Sequence, residues 1–213
     1  MKQLTAFLRD INKLRTQRGF TMIELLIVIS ILGILAVAVL SAINPIEQIN
    51  RGRDTGSQSD AEQMLSAIDR FYAFQGYYPW VQNPVEADNI DDFTLIDDAW
   101  ESTIVGCTVL ERLSEGDSLL PLCAAGQELK LTFVQRITNP GYNPIFIYNR
   151  ATSGDSTYIC FEPQSGAFKQ KATERCAAGM PSDFVPTTDV CVTSTGNTLD
   201  GVGDIDFPLF CLP

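Results

Sequence analysis

Glu24 is a carboxylate standing alone in an apolar run that extends from Phe20 to Ile43. Those 24 residues (43 − 19) carry no other formal charge. As a helix the run is roughly 36 Å long, enough to cross a hydrocarbon core of about 30 Å. An acid at the centre of such a helix costs on the order of 2.5–3.5 kcal/mol, so it calls for an interfacial position or a cationic partner. Immediately before the run stands Gly19, a residue with no side chain. Two further groups have chemical potential. Cys107, Cys123, Cys160, Cys176, Cys191 and Cys211 are an even set without a Cys-x-x-Cys pair. With no His in the chain, they read as disulfides rather than a zinc site. Asp200, Asp204 and Asp206 share a glycine-containing loop of hard oxygen ligands suited to calcium, although EF-hand spacing is missing.

Charge sets the orientation of the run. Lys2, Arg9, Lys13, Arg15 and Arg18 against Asp10 give the first 19 residues +4, so the remainder carries −15 of the total −11. Positive charge before a spanning segment retains that end in the cytoplasm, and everything after Ile43 emerges on the far side. An acidic exported body argues against a surface that tracks nucleic-acid phosphates. Catalysis has little support: the usual base of nucleophilic triads is lacking, and no two carboxylates stand out as an acid–base pair. The expectation is a non-enzymatic protein with no required cofactor.

The elements that position these groups follow from the pattern. Asn44-Pro45, Gly52 and Gly56 make residues 44–57 the weakest part of a long helix. Ser59 with Glu62 reads as a capping box that restarts it. Ala61, Met64, Leu65, Ile68, Phe71 and Tyr72 form one apolar stripe, and Gly76 ends it. From Trp80 to Leu122 the chain reads as an acidic, Cys-pinned connection, with short helical turns at 97–102 and 108–113. Three strands are expected, at 129–134, 144–149 and 157–161, with turns at 139–144 and 152–155. The tail from Ala177 to Pro213 reads as a tethered surface loop. Six cysteines allow 15 pairings; Cys107 with Cys123 is the local choice, and Cys160 is assigned a C-terminal partner.

Gly19-Phe20-Thr21-Met22-Ile23-Glu24-Leu25-Leu26-Ile27-Val28, after a basic leader and before Gly33, resembles the processing signature of type IV pilins and pseudopilins. The resemblance implies that a prepilin peptidase in the membrane cuts after Gly19 and methylates the new N-terminus at Phe20. It also implies that Glu24 guides assembly, by neutralising the Phe20 α-amine of a neighbouring copy. Glu24 would then act as a registry device, because leaving one partner alone in an apolar core costs on the order of 3–5 kcal/mol. Gly33 permits close helix approach. The implied fold is a pilin-like α+β arrangement: leader 1–19, a long helix 20–75 with its spanning part at 20–43 and a region at 44–57 able to unwind in a filament, and an exported head 76–213. The implied partners are further copies in a helical homopolymer, the peptidase, an assembly ATPase and its membrane platform. Before assembly the chain is a single-pass cytoplasmic-membrane protein, and afterwards part of an extracellular or periplasmic filament. Within the family the alternative is a type II secretion pseudopilin, whose calcium-holding loop the Asp200–Asp206 segment faintly resembles. Outside it stands a secreted, disulfide-bonded binding domain. Ala36-Val37-Ala38 would then be an ordinary signal-peptidase site, and the mature chain would begin at Val39.

Overall fold

The computed structural model describes residues 19–83, 90–102, 104–114, 123, 126–150, 154–185, 190–191 and 208–213. The chain divides into two compact units, Met1–Pro45 and Ile46–Pro213.

The first unit contains helix α1, Met22–Ala42, in which every residue from Met22 to Ser41 is exposed. It is long and apolar enough to cross a membrane. Its two serine hydroxyls donate to carbonyls within the helix, Ser30 Oγ to Ile27 O (2.8 Å) and Ser41 Oγ to Ala38 O (2.9 Å), leaving no hydroxyl proton seeking water. The helix ends where Ile43 turns extended (φ −100°, ψ 129°), just ahead of Asn44, whose helical conformation the following proline ring disfavours.

Pro45 opens helix α2, Pro45–Gln75, at a position where its missing amide is not needed. Residues 45–57 are thus helical despite their two glycines; the expectation of unwinding concerns an assembled filament. Ser59 lies inside α2, so it caps nothing, and Glu62 instead accepts a hydrogen bond from Gln58 Nε2 (2.9 Å). The expected apolar stripe is present, with Ala61, Met64, Ile68 and Phe71 buried and Leu65 packed against them. Gly76, at φ +78°, donates its amide to Tyr72 O (2.8 Å) and stops the helix.

The body behind α2 is a four-stranded antiparallel sheet in the order β1 (Ile90–Leu95), β2 (Ile145–Asn149), β3 (Tyr158–Phe161), β4 (Phe210–Leu212). The architecture is α+β, a long apolar N-terminal helix with an antiparallel sheet and three disulfides, as in a pilin-like fold. Strand β2 is buried on both faces, which explains its nearly unbroken apolar run. Ile145 and Ile147 join Ile159, Phe161 and the α2 stripe in the main core, whereas Phe146 and Tyr148 join Tyr158, Phe184, Val190 and Leu209 on the other side.

Four sequence expectations are corrected here. The segment 129–134 is not a strand: Leu131–Ile137 forms helix α4, which buries Phe133 and Ile137 one turn apart and leaves Leu131 exposed. The alternation of Leu129, Leu131 and Phe133 is accidental. The acidic connection contains β1, paired with β2 as Thr94↔Ile147 and Leu95↔Phe146; its aspartates lower strand propensity, and pairing overrides them. Segment 97–102 is a turn rather than a helix, with Asp97 Oδ1 accepting the Ala99 amide (2.9 Å) and Glu101 bridging to Thr108. The tail is not merely a surface loop, because β4 joins β3 and Phe210 enters the core.

Two further helices are described in the body. Helix α3, Val109–Leu113, has a capping box of Thr108 and Glu111 and buries Arg112, whose Nη1 donates to Pro79 O (2.6 Å) and Val81 O (2.5 Å). Helix α5, Gly166–Ala178, was not foreseen; Ser165 caps its start, and Phe168 and Ala172 face inward. Cys107 bonds to Cys123, Cys160 to Cys211 and Cys176 to Cys191. The second of these joins directly paired positions of β3 and β4, tying the tail into the sheet.

Candidate functional site

The start of α1 is built by four residues. Gly19, Phe20 and Thr21 are non-helical and exposed, and among the described residues, its chain neighbours aside, no atom lies within 4 Å of where a Gly19 side chain would sit. The Gly19–Phe20 bond therefore lies in exposed, non-helical backbone. Thr21 is the N-cap. Its Oγ accepts the Glu24 amide (3.2 Å), and Glu24 Oε2 in return accepts the Thr21 amide (3.0 Å) and hydroxyl (2.9 Å). This reciprocal box satisfies helix-end amides and folds the carboxylate back over the first turn, where the helix dipole favours negative charge.

The consequence is positional. Glu24 is held at the mouth of the apolar helix, folded back over Thr21 and close in sequence to the exposed Gly19–Phe20 segment. A carboxylate has about four lone-pair sites, so acceptance of two Thr21 hydrogens leaves capacity for a cation from another molecule. Gly33 faces open space: among the described residues, its own stretch of helix aside, no atom lies within 4 Å of the position of an added Cβ. Thr21 was missed as a participant, although the T-x-x-E spacing was available as its signal.

A second constellation, also missed, secures α2 to the head. Asp54, fully buried, accepts the amides of Gln164 (2.9 Å) and Ser165 (2.7 Å) and the Ser165 hydroxyl (2.6 Å). Glu47, two turns earlier, accepts the Gly166 amide (3.1 Å). Carboxylates of one helix thereby receive the amides at the start of α5, where the dipole is positive. On the far side of the sheet, Tyr158 donates its hydroxyl to Asp183 Oδ1 (2.7 Å), and the Ser156 amide donates to Oδ2 (3.0 Å). Burial and then the Asp183 contact raise the Tyr158 phenol to about 12. The Ser156 amide, followed by the Tyr158 hydroxyl, lowers the Asp183 carboxyl below its usual range.

The cysteines are all bonded to one another, so none offers a thiolate. The calcium candidates Asp200, Asp204 and Asp206, and the leader up to Arg18, lie outside the described residues.

Residues 14–40 match the family defined as the prokaryotic N-terminal methylation motif. That span encloses Gly19, Phe20, Thr21, Glu24 and Gly33 and stops within α1. No curated protein and no solved structure matches the chain.

Proposed function

We propose, from the premise that residues 14–40 carry the N-terminal signature of type IV pilins and pseudopilins, that this chain is the structural subunit of a type IV pilus-like filament. The prepilin peptidase cuts between Gly19 and Phe20 and methylates Phe20. The processed chain waits in the cytoplasmic membrane on α1, and a partner ATPase and membrane platform move it into a helical homopolymer. The protein acts by assembling; it needs no catalytic group and no cofactor.

What carries this reading is the pairing of a methylation motif with a wholly exposed apolar helix whose first turn holds a pinned carboxylate. Lipid tails are as apolar as leucine, so moving α1 from bilayer to bundle gains little hydrophobic energy. A charge pair that is satisfied in one stagger only then decides how copies align. The experiment is electron microscopy of filaments sheared from cells, with their subunit identified by peptide mass spectrometry. This chain as the main component supports a pilus subunit. Its absence from surface filaments, with the processed chain retained in the cell envelope, would instead favour a secretion pseudopilus.

A further inference from the structure

Helix α2 continues its buried stripe beyond the part that the head covers. Ser57, Asp60 and Met64 face inward, and the same face runs back through Arg53, Ile49 and Ile46. Ile46 and Ile49 are 67% and 58% exposed, although they occupy the apolar side of the helix. Where this bare face meets the head there is a cleft of about 350 Å³, lined among others by Arg53, Ser57, Asp60, Arg136, Tyr142 and Asn143.

The charges in this cleft do not balance. Asp60 accepts hydrogen bonds from Arg136 Nη2 and the Tyr142 hydroxyl, so its charge is already matched by Arg136. Burial, then the bond to Asp60, raises the Tyr142 phenol well above its ordinary value, and it stays neutral. Arg53 adds a guanidinium with no hydrogen bond or ion pair among the described residues, and Arg51 two positions away is in the same state. The body's other arginines are engaged: Arg70 on Glu128, Arg150 on Asp155, Arg112 and Arg175 on backbone carbonyls. An arginine with no ion-pair partner among the described residues, near exposed isoleucines and on a chain whose exported part carries −15, fits an acidic, partly apolar partner.

We infer that this cleft receives an acidic side chain from a second copy of the chain, with Arg53 as its charge partner and with Ile46 and Ile49, outside the cleft on the same helix face, as an apolar contact beside it. Each copy carries both halves of the contact, the cationic cleft and the acidic body. Under the filament reading the contact repeats head to tail along the assembly, the cleft of one copy taking an acid of the next. It rests on the filament reading and supplies a head-level contact distinct from the pairing at Glu24.

The test uses the full-length chain in cells. A photo-activated cross-linking amino acid is placed at Ile49, with a control at Leu35 in α1, and Arg53→Glu and Arg53→Lys are made separately. The expected result is cross-linking from both positions to a second copy. Arg53→Glu should reduce filament yield about tenfold or more, with head melting unchanged, and Arg53→Lys should retain most of the yield. Cross-linking from Leu35 to a second copy, but from Ile49 to lipid, to another protein or to nothing, overturns the cleft contact and leaves the filament standing. Normal yield from Arg53→Glu overturns it as well. Absence of self-cross-links from Leu35 removes the filament reading and this contact with it.

Discussion

Replacing Asp54 by alanine should release the first third of α2 from the head. Asp54 accepts the Gln164 and Ser165 amides and the Ser165 hydroxyl at 2.6–2.9 Å, in full burial. The hydroxyl already accepts the Phe168 amide at 3.3 Å and keeps that role; the Ser165 amide is left with no acceptor. An unsatisfied buried donor costs about 1–3 kcal/mol, and bonds to a charged acceptor lie at the upper end of the range. With the half-buried Gln164 amide included, the loss is about 3 kcal/mol. Residues 45–57 contain Gly52 and Gly56, each roughly 1 kcal/mol worse than alanine in a helix, so the local opening free energy should fall by most of that amount. At 1.4 kcal/mol per tenfold this corresponds to about 100-fold faster amide exchange. The assay is hydrogen exchange by mass spectrometry on the detergent-solubilised full chain. Asp54→Asn, which keeps one acceptor oxygen but sets an amide group against a donor, should show a smaller acceleration over the same peptides. Unchanged exchange at residues 45–57 in Asp54→Ala, with any effect confined to α5, would refute the claim that this carboxylate holds α2 to the head.

Three further predictions concern assembly, pH and the helix break. Glu24→Ala should leave processing and head folding intact while sharply reducing filament yield, measured by shearing cells and blotting precursor and mature forms together. For the Tyr158–Asp183 contact, a lowered carboxylate contributes stability above its unfolded value of 3.8 and loses it as pH falls through the folded value. The raised phenol contributes below its unfolded value of 10.0 and loses that contribution as pH rises toward about 12. Asp183→Asn should therefore flatten the melting temperature against pH at the acid end and only in part at the alkaline end, where the burial of Tyr158 persists; an unaltered profile at the acid end would argue against the contact. In a filament density map, the backbone should extend at Ile43–Asn44 and be helical again by Glu47, because Glu47 and Asp54 hold the start of α5. Extended backbone reaching residue 57 would show that assembly breaks both anchors.

What was legible in the sequence was whatever burial writes as a period. The stripe from Ala61 to Phe71, the doubly buried β2 and the β-branched, aromatic β3 each bury a regular set of apolar side chains. The N-terminal signature was legible for another reason: it depends on the identity of a few adjacent residues and not on distant contacts. The losses also have physical causes. Strand β1 is held by pairing to β2 against the propensity of its aspartates, and β4 is a three-residue strand in the short apolar end of a tail otherwise rich in Gly, Ser, Thr and Asp. Around α4 the spacing fits two periods at once, and the burial of Phe133 with Ile137 decides between them. Asp54, Ser57 and Asp60 were invisible as interior residues because they are polar; their burial makes sense only once Ser165, Arg136 and Tyr142 are in place.

The central claim is that Gly19, Phe20 and Glu24 form a processing and assembly start, and the N-terminal peptide of the exported protein tests it most directly. Mass spectrometry of that peptide should find a chain beginning at Phe20 with a methylated α-amine. A chain beginning at Val39, or an exported form that retains the leader, would contradict the account.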